Sequence, residues 1–177
     1  MVLLMLLTTR LRHGQPVCLS ARARARCKAT TAAGRKRASF RYYLPLQTRW
    51  KDNDVFGHVN NVEYYSFFDT VINHFLISEG GLKIGQDADT VGFCVHNSCN
   101  YYRPVAYPAV LEAAMAVEKI GTSSVTYRVG LFDDTSEEAA AVGSFVHAFV
   151  DIATQKAVSE LPQQMRDALE RICCDSP

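Results

Sequence analysis

The sequence lacks any hydrophobic run long enough to cross a membrane as a helix. Its longest apolar run, Met1–Leu7, has seven residues, whereas a membrane-spanning helix needs about 18–20. The 177 residues are 48% hydrophobic and 21% charged, a composition typical of an ordinary globular protein. The sequence therefore predicts one globular domain with a core of its own and no membrane span.

The sequence also lacks the C-x-x-C spacing that zinc sites and thiol redox motifs share. Its six cysteines are Cys18, Cys27, Cys94, Cys99, Cys173 and Cys174. We interpret them as reduced thiols and expect Cys94 and Cys99 to pack within strands. Three histidines, His74, His96 and His147, show no metal-ligand spacing and are expected to serve packing or lie on the surface. The sequence thus predicts no metal and no redox cofactor.

Acidic residues are absent from residues 1–39, which contain nine lysines and arginines. An Arg- and Ala-rich segment without acids predicts an organellar transit peptide, for a mitochondrion or a plastid. The apolar start, Met1–Leu7, could also begin a secretory signal, but Arg10 and Arg12 follow where a small-residue cleavage site belongs. Two alternatives stay open. The segment could be a disordered leader without a targeting signal, which leaves the protein cytoplasmic, or it could result from the choice of an upstream start codon.

The remaining residues, 40–177, carry 19 − 9 = 10 basic residues and all 18 acidic ones, a net charge of −8. Nucleic-acid binding depends on cations that neutralise phosphates. The charge of this part of the chain therefore argues against a nucleic-acid partner.

Hydrophobic periodicity predicts five strands and two helices after residue 39. In chain order these are a strand at Phe40–Trp50, a long helix at Asn61–Ser78, strands at Val91–Val105, Val110–Ile120, Ser124–Phe132 and Ala139–Ile152, and a short helix at Leu161–Ile172 with Pro162 in its first turn. Strands with such short connections pair antiparallel. The fold class predicted is α+β, one helix lying across one antiparallel sheet.

The long helix has clear start and stop signals. Asn60 is a favoured N-cap residue, and Glu63 three positions later would complete a capping box. Gly80 and Gly81 supply the stop.

The segment between the first strand and the long helix carries a motif. It reads Arg49-Trp50-Lys51-Asp52-Asn53-Asp54-Val55-Phe56-Gly57-His58-Val59-Asn60-Asn61-Val62-Glu63-Tyr64. This segment resembles the signature of hot-dog proteins of the 4-hydroxybenzoyl-CoA thioesterase-like family: Asp-x-Asp, a Gly, Val-Asn-Asn, and an aromatic residue ten positions after the second Asp. Tyr102–Val105 is similar to the family's Tyr-x-Arg-Pro strand end, either with one residue fewer between Tyr102 and Arg103 or with Tyr101 as its Tyr. Glu118–Ser124 is similar to one of the family's hairpins.

The resemblance implies a hot-dog domain over residues 40–172, an antiparallel sheet wrapped around one long central helix, with residues 173–177 as a tail. It implies an acyl-CoA or acyl-carrier-protein thioesterase that works as a homodimer or homotetramer without a cofactor. Two other functions remain open. One is a non-catalytic acyl-CoA-binding protein. The other is a hot-dog hydroxyacyl-thioester dehydratase, against which the Asp-x-Asp loop argues because such enzymes rely on a histidine with a carboxylate.

Thioester hydrolysis needs a nucleophile or base and donors for the developing oxyanion. The resemblance gives the carboxylate role to Asp54 rather than Asp52, which we expect to be solvated or to structure the loop. A helix N-terminus presents unpaired amides, here those of Asn61 and Val62, and these would bind the carbonyl oxygen. The residues assigned to oxyanion or substrate binding are Asn60, Asn61, Val62 and His58. The alternative, purely structural interpretation of Asp54 is that its side chain forms an Asx turn within the loop.

Three basic residues outside the motif, Arg103, Lys119 and Arg128, are candidates for contacts with the CoA phosphates. Each could equally be a charge on a solvated strand face.

Overall fold

The computed structural model of the protein describes residues 32–174. Six strands form one antiparallel sheet in the order β1-β3-β4-β5-β2, and β6 pairs with β5. The strands are β1 (Tyr42–Gln47), β2 (Thr90–Tyr101), β3 (Val110–Ile120), β4 (Ser124–Phe132), β5 (Ala141–Asp151) and β6 (Lys156–Ala157). The two α-helices are α1 (Asn61–Ser78) and α2 (Gln163–Arg171). The sheet curves around α1, as the predicted α+β hot-dog fold requires, and that prediction is confirmed.

Helix α1 has the predicted bounds and is wrapped by the sheet. Its buried face includes Phe68, Val71 and Ile72, none of which is exposed to solvent. This face packs against sheet residues such as Met115 of β3 in one continuous core. A side chain at Gly143 of β5 would meet the ring of Phe68 at 2.4 Å, so glycine there lets the helix approach the sheet closely.

The helix begins with the predicted N-cap but without the predicted capping box. The Asn60 side chain accepts a hydrogen bond from the Val62 amide. The backbone amide of Asn60 donates to the carbonyl of Asp52, 2.8 Å away. The Glu63 carboxylate instead pairs with Arg49 and Lys51, because loop cations lie within its reach.

Three strands are shorter than predicted, including β5, which was expected at Ala139–Ile152 and covers Ala141–Asp151. The first strand was expected at Phe40–Trp50, but only Tyr42–Gln47 pairs with β3. The second was expected to reach Val105, yet it ends at Tyr101. The amides of Tyr102 and Arg103 both donate to the carbonyl of Ala140, which turns the chain out of the ladder.

Strand β2 lies at the edge of the sheet and has β5 as its neighbour. The ladder shifts register between Cys94 and His96. Cys94 is exposed on this edge strand, so the expected packing of this thiol is wrong for the chain described here, whereas Cys99 is half-buried. Side chains in the middle of the strand, Phe93 and Val95, are 50% and 61% exposed.

Residues 32–39, which composition grouped with the leader, pack onto the domain as a strap. The amide of Arg37 donates to Glu137, and the carbonyl of Arg35 accepts from Ala139. The Arg35 guanidinium lies 4.6 Å from the centroid of the Tyr102 ring. Packing therefore begins upstream of residue 40, the boundary expected from composition. The rest of the predicted leader, residues 1–31, lies outside the described residues.

The predicted C-terminal tail also begins later than expected. Cys173 forms a parallel bridge with Val117, and the Cys174 amide donates to the Val117 carbonyl at 2.8 Å. Helix α2 buries Met165 and Leu169 against the core. Residues 175–177 lie outside the described part of the chain. Within residues 32–174, no helix is both long and apolar enough to span a membrane.

Candidate active site

The motif folds into a short hairpin that leads into α1. Asn53 and Val59 form its closing bridge. The Asp54 amide donates to the His58 carbonyl at 2.9 Å, and the Gly57 amide donates back to the Asp54 carbonyl at 3.1 Å. Gly57 has φ of 81°, a left-handed conformation that glycine adopts without strain. The glycine of the motif is thus required by the turn.

One oxygen of the Asp54 carboxylate is used within the loop and the other is not. Oδ1 accepts a hydrogen bond from the Phe56 amide at 2.8 Å, so the Asx turn considered above is present. Within residues 32–174, Oδ2 makes no hydrogen bond or ion pair. The turn fixes the carboxyl group while leaving one oxygen available for chemistry, so the structural and the functional interpretation of Asp54 are compatible.

Asp52 is a structural residue of the loop. It is fully buried, and its carboxylate accepts from the backbone amide of Arg49 at 2.7 Å and from the Arg49 Nε at 2.9 Å. Its carbonyl receives the Asn60 amide. These contacts agree with the expectation that Asp52 structures the loop. The alternative expectation, a solvated side chain, is wrong because the carboxylate is buried.

The start of α1 leaves one free amide rather than two. The Val62 amide is occupied by the Asn60 Oδ1 at 3.2 Å, and the Glu63 amide donates to the Asn60 carbonyl. Within residues 32–174, the Asn61 amide has no acceptor. The inclusion of Val62 as a second carbonyl donor therefore needs correction, because the cap uses that amide.

A tyrosine from the edge strand locks this helix end in place. The Tyr101 hydroxyl donates to the Asn61 carbonyl at 3.2 Å, and its ring packs edge-on against Tyr64 at a centroid separation of 5.0 Å. Burial, together with the neighbouring Cys99, raises the pKa of Tyr101, and burial raises the pKa of the Cys99 thiol to about 11. Both groups are protonated at neutral pH, so this side of the site offers no thiolate.

A second loop supports the hairpin from outside. The Asn53 Oδ1 accepts from the Tyr107 amide at 2.9 Å, and Trp50 packs edge-on against the Tyr107 ring. Sequence reasoning did not single out Arg49, Asn53 or Tyr101 as site residues. The two loop residues lie inside the motif and could have been found there. Tyr101 could not, because its contact with the helix depends on tertiary structure.

The hairpin carries large exposed apolar side chains. Trp50, Val55 and Phe56 are 82%, 94% and 80% exposed, and Val62 at the helix start is 60% exposed. His58 is also exposed, and its side chain makes no contact within residues 32–174 that fixes its orientation. Large apolar side chains that are exposed on neighbouring segments of the chain are typical of a binding surface where they are contiguous.

The three candidate cations differ sharply in what they contact. Arg128 is only 6% exposed, and its guanidinium donates to the Ser39 carbonyl and the Cys174 thiol. Arg103 pairs with Asp133 and donates to the Glu138 carbonyl. These two side chains are committed to the fold.

Lys119 is exposed and lies beside an irregularity in the β3–β4 ladder, between Val117 and itself. Of the three cations it is the one placed to meet a phosphate from solvent. Within residues 32–174, no group of three or more histidine, cysteine, aspartate or glutamate side chains is placed to hold a metal ion.

The curved antiparallel sheet, its central helix and the acidic hairpin at the helix start define the class of protein as hot-dog. Residues 48–169 match the thioesterase-like superfamily, and the chain belongs to that family.

Solved structures show the same fold. The PA5185 protein from Pseudomonas aeruginosa strain PAO1 is 44% identical, with a TM-score of 0.76 over 80% of this chain and 98% of that one. Slr0204, a 1,4-dihydroxy-2-naphthoyl-CoA thioesterase from Synechocystis, is 17% identical with a TM-score of 0.64, over 77% and 98% of the two chains. That second likeness shows the fold alone.

A curated relative, the uncharacterized protein YsmA of Bacillus subtilis (strain 168), is 27% identical over 124 residues, which are 70% of this chain and 82% of that protein. Family membership and fold together support thioesterase activity in general.

Proposed function

We propose that the protein hydrolyses acyl-CoA or acyl-carrier-protein thioesters, with Asp54 as the catalytic carboxylate. The observation that carries the proposal is the arrangement of the hairpin. It fixes Asp54 through one oxygen and leaves the other oxygen available. Six residues separate Asp54 from α1, whose first amide has no acceptor within residues 32–174.

In the proposed reaction, the thioester carbonyl oxygen accepts a hydrogen bond from the Asn61 amide. The positive end of the α1 dipole stabilises negative charge that develops there. Asp54 then either attacks the carbonyl carbon or removes a proton from an attacking water molecule. Both routes expel the thiolate, consume one water molecule overall and release the free acid and the thiol.

The two routes differ in where the oxygen of water first appears. Under single-turnover conditions in ¹⁸O-labelled water, direct attack places the label in the Asp54 carboxyl group when water cleaves the mixed anhydride at the Asp54 carbonyl carbon. Base catalysis places the label only in the product acid. Label found by mass spectrometry in the peptide that contains Asp54 therefore establishes direct attack.

The active unit that we propose is a homodimer, or a tetramer built from two dimers. Within residues 32–174, edge strand β2 has a neighbouring strand on one side only, and its Phe93 and Val95 are exposed. These features favour pairing with a second copy. A second chain could also cover the apolar patch formed by Trp50, Val55 and Phe56. Sedimentation of residues 32–177 should give a dimer or tetramer at micromolar concentration, and a fully active monomer would contradict this part of the proposal.

Release of free thiol from a panel of acyl-CoAs tests the proposed function. We expect turnover with at least one member from short, long or aryl chains. Saturable binding without thiol release from any member would instead indicate a non-catalytic acyl-CoA-binding protein.

We also propose that residues 1–31 direct the protein to an organelle, based on their basic, acid-free composition. Fusing these residues to a fluorescent reporter tests this. An even cytosolic distribution of the reporter would contradict it.

A further inference from the structure

The Asn61 amide, which has no acceptor within residues 32–174, is fixed from two sides by the end of β2 and the segment that follows it. Upstream of this amide, the backbone amide of Val59 donates to the Val105 carbonyl at 2.9 Å. Downstream, the Asn61 carbonyl accepts a hydrogen bond from the Tyr101 hydroxyl at 3.2 Å. The first attachment joins backbone atoms, whereas the second uses a side chain. A substitution at Tyr101 therefore removes one attachment without altering the backbone.

The Tyr101 side chain is supported by the sheet and by the helix. Its backbone pairs with Ala141 in the β2–β5 ladder. Its ring packs edge-on against Tyr64, which is buried in the core. Tyr64 lies three residues after Asn61 and therefore on the same side of α1. The ring and the hydroxyl of Tyr101 thus contact the first turn of the helix at two neighbouring points.

The Tyr101 hydroxyl is protonated at neutral and mildly alkaline pH. Burial raises the pKa of this phenol, and interactions with Cys99 and Tyr65 raise it further. The backbone carbonyl of Asn61 is an acceptor only, so the bond between them requires the protonated phenol. A group that keeps its proton across this range is no general base there. Its contribution to the reaction is therefore positional.

We propose that Tyr101 is a positioning residue of the thioesterase site, which holds the first residue of α1 so that the Asn61 amide points at the substrate carbonyl. This inference rests on the proposed function. An oxyanion donor must lie within hydrogen-bond distance of the oxygen on which charge develops, and a small displacement loses part of that stabilisation. Because this charge is largest in the transition state, the effect of Tyr101 falls on kcat rather than on KM.

Tyr101→Phe removes the hydroxyl and keeps the ring that packs against Tyr64. We expect kcat to fall by about tenfold with little change in KM. The pH dependence of kcat should keep its shape, because no titrating group of the reaction is lost. Replacement of Tyr101 by 4-aminophenylalanine restores a donor at the same place and should recover most of kcat. A mere loss of packing would lower the melting temperature without this kinetic pattern.

Tyr43→Phe is the matched control. The Tyr43 hydroxyl also donates to a backbone carbonyl, that of Arg37 at 2.7 Å, and Tyr43 is 37% exposed against 45% for Tyr101. Its partner belongs to the strap of residues 32–39 and not to the site. This variant therefore loses a comparable hydrogen bond. Its kcat, corrected for the folded fraction, should equal that of the unaltered protein.

A second measurement does not depend on turnover. In an acyl-CoA analogue with a methylene group in place of the thioester sulfur, the carbonyl is retained but no thioester remains to be hydrolysed. A ¹³C label at this carbonyl reports hydrogen bonding as a downfield shift on binding. We expect this shift in the unaltered protein and in Tyr43→Phe, and a smaller shift in Tyr101→Phe.

Equal kcat in Tyr101→Phe and the unaltered protein would overturn the positioning role and leave the proposed hydrolysis standing. A loss of kcat that Tyr43→Phe shares would also overturn it. If no acyl-CoA is hydrolysed but the carbonyl shift is present and is reduced in Tyr101→Phe, the hydrolase proposal fails and the positioning role stands. A shift that is the same in Tyr101→Phe as in the unaltered protein, or absent from both, overturns the positioning role.

Discussion

The guanidinium of Arg37 lies over the ring of Phe132, 4.6 Å from its centroid, and the same side chain pairs with Glu112. Arg37 belongs to a segment that composition assigns to a basic leader, yet here it stacks on the last residue of β4. The contact makes residues 32–39 part of the folded domain.

The first prediction concerns the N-terminal boundary. A chain that begins at residue 32 should be as stable as the full protein. A chain that begins at residue 40 should lose about 1–3 kcal/mol, because two cation–π contacts and the backbone hydrogen bonds to Glu137 and Ala139 are removed. Thermal and denaturant unfolding of the two truncations measure the difference.

Arg37→Ala in the longer truncation serves as a point control and should reproduce part of the loss. Equal stability of the two truncations would show that the strap contributes nothing and that the boundary at residue 40 is adequate.

The second prediction concerns the helix cap. Asn60→Ala removes the acceptor of the Val62 amide and should cost about 1 kcal/mol of unfolding free energy. It should also lower kcat beyond what partial unfolding explains, because displacement of the Asn61 amide misaligns the carbonyl site.

Asn60→Asp is the matched variant. It caps the helix equally well but places a negative charge beside the developing oxyanion, so stability should hold while kcat falls. Turnover of Asn60→Asp at the rate of the unaltered protein would show that the carbonyl is not bound at this helix end.

The third prediction separates two cations that the sequence does not distinguish. Lys119→Ala should raise KM for acyl-CoA with little change in melting temperature, because the side chain is exposed. Arg128→Gln should lower the melting temperature, since it breaks buried contacts with Ser39 and Cys174, and leave KM of the folded protein nearly unchanged. A raised KM for Arg128→Gln together with an unchanged KM for Lys119→Ala would indicate that Arg128, and not Lys119, contacts the substrate.

Lys119 and Arg128 show which structural features the sequence predicts and which it does not. The bounds of β3 and β4 follow directly from alternating apolar residues on either side of a turn at Gly121, and both were predicted correctly. Whether a strand cation points to solvent depends on what covers that face. Arg128 is covered by residues 39 and 174 from the two ends of the described chain, a long-range relationship that no local pattern contains.

The same reasoning applies to the site. The Asp-x-Asp loop and the Asn60 cap are local, so the sequence predicts them, whereas the closure of this loop into a hairpin was not predicted. The order of strands in the sheet is not local, and it places β2 at the edge and exposes Cys94. Which of the first amides of α1 is already hydrogen-bonded also depends on the side-chain rotamer of Asn60. The spacing of residues along the sequence does not determine this rotamer.

The fourth prediction concerns acid stability. Burial of Asp133 raises its pKa, but hydrogen bonds from Arg103 and Thr135 outweigh this and hold the pKa at about 2. Because the folded pKa lies below the model-compound value of 3.8, the pair stabilises the fold above about pH 4. This contribution should be lost as pH falls from about 4 to 2.

Asp133→Asn should therefore destabilise the protein by about 1–2 kcal/mol at pH 7, after allowance for partial solvent screening. The difference from the unaltered protein should shrink below pH 4. Urea unfolding at several pH values measures it, and a difference independent of pH would contradict the assignment to this ion pair.

The last prediction addresses the catalytic carboxylate itself. Asp54→Asn keeps the shape of the side chain and the acceptor for the Phe56 amide, so melting temperature should change little. Turnover should fall by about 100-fold or more, as expected when a nucleophile or general base is lost. Asp52→Asn is the matched control: its carboxylate is buried against Arg49, so it should lower stability.

The most direct measurement is kcat of these two variants, each corrected for its folded fraction, on the best acyl-CoA of the panel. The account predicts that Asp54→Asn is nearly inactive and that folded Asp52→Asn retains most of its activity. Near-normal turnover by Asp54→Asn together with an inactive, fully folded Asp52→Asn would contradict it.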